Sequence, residues 1–119
     1  MTKSIDSAAS ETQRVFEHHL VAFAKGLDEL MKDYNEESEI ITPGKTFSGI
    51  SEIREFFSAF LDSCTPDFWD AFKILDSNIS RNVAYLVWEA KPWIGMATDT
   101  IVVSAGKIGI QTFTALRTN

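Results

Sequence analysis

The chain has one cysteine, three prolines, six glycines and two histidines in 119 residues, and its 11 basic side chains are outnumbered by 17 acidic ones. Each shortage excludes something. A lone Cys64 cannot close an internal disulfide, so a reducing compartment, the cytoplasm, is the expected location. No histidine or cluster of positive charge adjoins Cys64 to lower its pKa, so it reads as a small residue ending a helix and not as a reactive thiol. A net charge of −6 leaves no basic face for nucleic acid or an anionic membrane surface. No apolar run reaches the ~18 residues of a membrane helix, and the opening MTKSIDSAASETQR lacks the apolar core of a signal peptide. His18 and His19 are neighbours on a helical stretch and cannot face one site, and no other histidine exists, so no metal site is expected; nor is a cofactor.

What is present is an ordinary globular balance, 45% hydrophobic and 24% charged, in a length that allows one domain and one enclosed cavity. Nine phenylalanines, three tryptophans and two tyrosines suggest a core or cavity wall built from rings.

Residues 1–7 are polar and expected to be loose, leaving 8–119 as a single domain. The spacing of Val15, Phe16, His19, Leu20 and Phe23 predicts a helix over 8–25, with Asp6, Ser7 or Ser10 as its cap and Gly26 as its stop. A shorter helix turns Leu27, Leu30, Met31 and Tyr34 inward. Two short strands at 38–42 and 45–47 flank the Pro43-Gly44 turn. Ser48 then caps a third helix with the stripe Ile50, Ile53, Phe56, Phe57, Phe60 and Leu61, ended by Thr65-Pro66. The remainder reads as four long antiparallel strands: 68–76, 83–93 and the two arms of a final hairpin, with a polar turn at 77–82. Helices segregated from a run of strands argue an α+β fold.

The final hairpin carries the chemistry. Pairing Val103 with Lys107 makes Ser104-Ala105-Gly106 a three-residue loop and sets Asp99 opposite Gln111. Alternation then puts Asp99 on a face with Ala97, Ile101 and Val103, and Gln111 on a face with Gly109, Phe113 and Ala115. One acid and one amide thus share an apolar surface, where burial should raise the carboxyl pKa toward neutrality. Asp99 is either a proton-exchanging group or a structural acid satisfied by Gln111 or backbone. His19, on the stripe between Phe16 and Phe23, is either a core histidine bonded to a carbonyl or a pocket acid or base. His18 points elsewhere and is expected in solvent. Gln111 either orients Asp99 or holds a ligand oxygen.

The order of elements is similar to the nuclear-transport-factor-2-like superfamily, in particular its SnoaL-like and ketosteroid-isomerase-like members. The resemblance is carried by Ala22-Phe23-Ala24-Lys25-Gly26-Leu27-Asp28, by Tyr34-Asn35-Glu36-Glu37-Ser38, by Thr42-Pro43-Gly44 and by the stretch from Phe47 to Phe57. It continues through Val83 to Trp88, Thr98-Asp99-Thr100, Gly106-Lys107-Ile108 and Gln111-Thr112-Phe113. It implies a cone-shaped domain in which a strongly curved, mostly antiparallel sheet wraps three N-terminal helices and encloses a pocket for a small, largely apolar ligand. It also implies a homodimer through the outer sheet face. The isomerases' oxyanion tyrosine falls at His19, their aspartate base at Thr42, and their second, protonated aspartate at Asp99. With a threonine at the base position, a standard ketosteroid isomerase is not expected.

Two readings follow. The first is an enzyme in which Asp99, with His19, moves protons on a carbonyl compound in an isomerase- or cyclase-type step. The second is a non-catalytic ligand-binding or dimerisation module. Ligand-wall candidates are Gln111, Phe113, Phe57, Phe60, Trp88, Tyr34 and Thr42. Strand parity leaves open whether Trp88 or Glu89 faces inward; Glu89 is expected at an interface or edge, and would otherwise be a second pocket carboxylate.

Overall fold

A computed structural model describes residues 2–117. Helix α1 (Thr2–Lys25) leads into the short α2 (Leu27–Met31), then strands β1 (Glu39–Thr42) and β2 (Lys45–Ser48). Helices α3 (Gly49–Ser63) and α4 (Pro66–Ala71) follow. The chain ends in β3 (Phe72–Ser80), β4 (Val83–Ala90), β5 (Ile94–Ser104) and β6 (Lys107–Arg117). All six strands form one open, curved sheet in the order β2-β1-β6-β5-β4-β3, antiparallel except where β1 runs parallel to β6. This is the α+β architecture the element order predicts.

The helices lie on one face of the sheet because their apolar stripes have nowhere else to go. Val15, Phe16 and Ala22 of α1, Leu30 of α2 and Ile53 and Phe57 of α3 are buried against Ile40, Leu86, Trp88, Ile101 and Ile108 of the strands. On β4, Ala84, Leu86 and Trp88 are buried while Tyr85 is exposed, so the Trp88 side is the inner face. Glu89 lies on the opposite side, 3.7 Å from Lys91, and is not a pocket carboxylate.

Several local expectations are corrected. Helix α1 begins at Thr2, before the predicted start at residue 8, because no Gly or Pro interrupts the chain there. Ser7 and Ser10 consequently sit within the helix and do not cap it; Asp6 also falls inside the helix, while its side chain and Met1 lie outside what the structure describes. Ser48 occupies the N-cap position of α3, but its hydroxyl donates to Glu39 Oε2 at 3.1 Å. The helix mouth is closed instead by Glu52, whose Oε1 accepts the Ser48 N–H at 2.7 Å. Gly49 follows at φ +83°, with Glu36 Oε1 3.1 Å from where a Cβ would stand. Thr65-Pro66 ends α3 and also starts α4: Thr65 Oγ1 accepts the Phe68 N–H, and Pro66 fills the first helical position. Residues 68–71, read as strand, are therefore helical, and β3 begins at Phe72. Residues 77–80, read as turn, continue β3 and leave Arg81-Asn82 as the tight turn.

The last hairpin is also re-registered. Ser104 pairs with Lys107, so the loop is the two residues Ala105-Gly106, at φ +52° and +76°. That pair of positive φ values is the conformation whose twist suits a two-residue hairpin. Two positions on, the partners of Val102 and Val103 are Ile110 and Ile108, so Gly109 is an extra bulged residue. Asp99 lies opposite Phe113 and Gln111 opposite Ile101.

Candidate active site

Between the helices and the inner sheet face lies a cavity of about 430 Å³. Rings line most of it: Phe23 of α1, Phe56, Phe57 and Phe60 of α3, Trp69 of α4, and Trp88 and Phe113 of the sheet. Phe57 and Phe60 lie one helical turn apart, so both reach the same space. Edge-to-face contacts at 5.9 Å join Phe23 to Phe57 and to Phe60. Trp88 stacks on Phe113 at 6.3 Å with the planes only 15° apart, which leaves a flat apolar wall.

The polar end is built by β5 and β6. Asp99 is 8% exposed, and each of its oxygens accepts one hydrogen bond. Trp88 Nε1–H donates to Oδ1 at 2.9 Å, and Gln111 Nε2–H donates to Oδ2 at 2.9 Å. The buried Tyr34 hydroxyl donates to Gln111 Oε1 at 2.5 Å, which fixes the amide with its nitrogen toward Asp99. Burial pushes the Asp99 carboxyl from its ordinary 3.8 up to about 6, with the Trp88 and Gln111 bonds pulling the other way. Gln111 and Asp99 meet on one face, although the two strands pair in a different register.

Opposite them stands His19, buried in α1, its ring edge-to-face with Phe23 at 5.1 Å and with Phe57 at 6.1 Å. Burial first, and the neighbouring His18 second, hold its pKa down to about 4, so it is neutral at pH 7. Among the described residues no carbonyl accepts from its Nδ1. Its Nδ1 lies 3.8 Å from Asp33 Oδ2, and both atoms are buried without a hydrogen-bond partner among the described residues. Two orphaned buried polar atoms cost about 1–3 kcal/mol each.

His18 is not in free solvent. Its Nδ1 lies 2.7 Å from Asp33 Oδ1 and its Nε2 2.7 Å from Glu29 Oε2. The Glu29 hydrogen bond foremost, and Asp33 after it, raise its pKa.

Of the residues singled out from the sequence, Asp99, His19, Gln111, Phe113, Phe57, Phe60 and Trp88 all line the cavity. Tyr34 stands one layer behind, reaching the site through Gln111. Thr42 does not take part: it ends β1 at the sheet margin, and its hydroxyl donates to the Lys45 carbonyl at 2.9 Å within the turn. Cys64 follows the last turn of α3, with burial pushing its thiol up, as suits an inert residue. Asp33 is the residue that sequence reading missed. An acid in the exit turn of a short helix looks like a solvated charge, and only its approach to α1 shows otherwise. Among the described residues no group of three or more His, Cys, Asp and Glu side chains is disposed to hold a metal ion.

No protein-family model matches the chain, and no curated protein is similar to it. Solved structures are similar throughout. A nuclear-transport-factor-2-like protein of unknown function from Burkholderia xenovorans superposes with a TM-score of 0.75 at 13% identity, over 94% of this chain and 88% of that one. A SnoaL-like protein of unknown function from Burkholderia thailandensis gives 0.69 at 12% identity, over 90% and 95%. A de novo designed protein with a curved β-sheet gives 0.73 at 16% identity, over 90% and 86%. The chain therefore has the nuclear-transport-factor-2-like fold. A fold by itself implies no activity.

Proposed function

We propose that the cavity binds a small, largely apolar molecule with one polar end, and that Asp99 exchanges a proton with it in isomerase- or cyclase-type chemistry on a carbonyl compound. One observation carries this reading: both protein partners of Asp99 are donors. When Asp99 takes up a proton, neither Trp88 Nε1–H nor the Gln111 amide nitrogen can accept it, so the O–H is left for an acceptor inside the cavity. With its pKa at about 6, Asp99 is mostly a carboxylate at pH 7 and close enough to neutrality to take and return a proton. The proton leaves a carbon beside the carbonyl, the electron pair delocalises to an enolate, and Asp99 delivers the proton back to the same or another atom. The ring-lined walls supply binding and exclude water.

The test is exchange of the acidic C–H protons of 2-tetralone, a bicyclic ketone of suitable size, followed by NMR in D2O. Deuteration above the buffer rate is expected, falling by roughly 10²-fold or more in Asp99→Asn while 2-tetralone still shifts the Trp88 indole resonance. Exchange that is unaffected by the substitution sinks Asp99 as the proton carrier. Binding with no exchange favours the second reading, a non-catalytic ligand-binding module. Asp99 is the one carboxylate among the described residues that line the cavity, and the absence of a second carboxylate base there supports that alternative.

We propose further that two copies associate through the outer sheet face, where Tyr85, Ile110, Met96 and Leu116 are exposed.

A further inference from the structure

Asp33 and Tyr34 are consecutive residues in the turn that leaves α2, and they brace the two sides of the cavity separately. Tyr34 reaches Gln111, and through it Asp99. Asp33 reaches His19. The turn itself is tied to β6, because the Ile108 N–H donates to the Asp33 carbonyl at 2.7 Å. Asp33 does not line the cavity.

The geometry points to Asp33 as a positioning residue that keeps the single proton of neutral His19 on Nδ1, so that Nε2 meets the cavity as a hydrogen-bond acceptor. Three observations converge on this. His18 presents both ring nitrogens to carboxylate oxygens at 2.7 Å, one of Asp33 and one of Glu29. With both carboxylates ionised, both nitrogens are donors and His18 is an imidazolium, whose charge favours the ionised form of Asp33. With Oδ1 occupied by His18, the second oxygen of Asp33 is left with its lone pairs toward His19, 3.8 Å from Nδ1. Finally, neither Asp33 Oδ2 nor His19 Nδ1 has another partner among the described residues. An unprotonated Nδ1 would set lone pair against carboxylate in a space without solvent, whereas an Nδ1–H turns the same contact into an attraction that closes with a small side-chain shift. Burial raises the Asp33 carboxyl pKa; His18, and after it Lys107 from β6, pull it back down, while Glu29 from α2 adds a small push upward.

The consequence concerns the ligand. With Nδ1–H turned to Asp33, His19 cannot donate into the cavity, and the group it meets there must bring its own proton, as a hydroxyl or enol does. This deepens the acid–base reading above and rests on it for its use, but the tautomer is a property of the free protein and is measured without ligand.

The experiment is a long-range 1H–15N correlation spectrum of the ligand-free, 15N-labelled protein at pH 7. The two imidazoles are told apart by protonation, His18 on both nitrogens and His19 on one. Expected is His19 with its proton on Nδ1. In Asp33→Asn the amide oxygen can still accept from His18 while its NH2 turns to His19, so the proton should move to Nε2, shifting the tautomer ratio by at least tenfold. Wild-type protein with the proton on Nε2, or a folded Asp33→Asn protein with an unchanged tautomer, overturns the assignment. The wild-type spectrum decides even if the variant does not fold. A failure of 2-tetralone exchange would leave this spectrum untouched, so the two readings fail separately.

Discussion

At the scale of single residues, Asp99 and His19 are perturbed in opposite senses, and the signs make a measurable pattern. Asp99 is raised from 3.8 to about 6, so its contribution to stability is fully present below pH 3.8 and is lost as pH rises through 6. His19 is lowered from 6.5 to about 4, so its contribution is present above pH 6.5 and is lost as pH falls through 4. Each amounts to about 3 kcal/mol. Between pH 4 and 6 they nearly cancel in the wild-type protein. Asp99→Asn removes the falling half, so its stability relative to wild type should climb by about 3 kcal/mol from pH 4 to pH 7, read from urea unfolding at each pH. A difference that stays flat would mean that Asp99 is not buried as described. His19→Phe should show the mirror image, its relative stability declining over the same range. Both residues were legible in the sequence because each interrupts an apolar periodicity with a polar group. Asp33 was not, since its neighbours in sequence say nothing of α1 passing over it.

At the scale of elements, the final hairpin shows how a wrong register can still give a right site. The loop is one residue shorter than the pattern suggests, and the Gly109 bulge adds one residue on β6. The two offsets sum to an even number, and strand faces alternate with a period of two, so Asp99 and Gln111 stay on one face. They meet diagonally instead of directly, at hydrogen-bonding distance. Helix α4 was hidden because six residues are too few for a periodic stripe; the signal present was the Thr-Pro pair that caps and opens it. That helix carries Trp69 to the cavity. Thr65→Ala removes the side-chain acceptor for the Phe68 N–H and should cost about 1 kcal/mol in urea unfolding. It should also raise the mobility of Trp69, read as a loss of its fluorescence anisotropy; no change in either would deny the cap a role.

At the scale of the whole molecule, the sheet is covered by helices on one face only. The other face bears the exposed Tyr85 of β4, Met96 of β5 and Ile110 and Leu116 of β6, among threonines and valines. A stable pair of such faces would bury roughly 1,200 Å² or more. Sedimentation at micromolar concentration should then give twice the 13.3 kDa chain mass. Tyr85→Lys combined with Ile110→Lys should return it to the single-chain mass with the fold intact. A wild-type protein that sediments as 13.3 kDa throughout excludes the pairing. No helix among the described residues is long and apolar enough to cross a membrane.

Periodicity and parity are local properties, and from them alone came the α+β class, the apolar stripes of α1 and α3, and an acid and an amide sharing one face of the last hairpin. Tertiary structure decided what depends on distance between remote segments. It chose Trp88 over Glu89 for the interior, because parity distinguishes two faces without saying which one the helices cover. It left a hollow between those rings, since volume depends on how elements pack and not on which residues they contain. And it brought Asp33 beside His19, because only the fold sets the exit of α2 against the middle of α1.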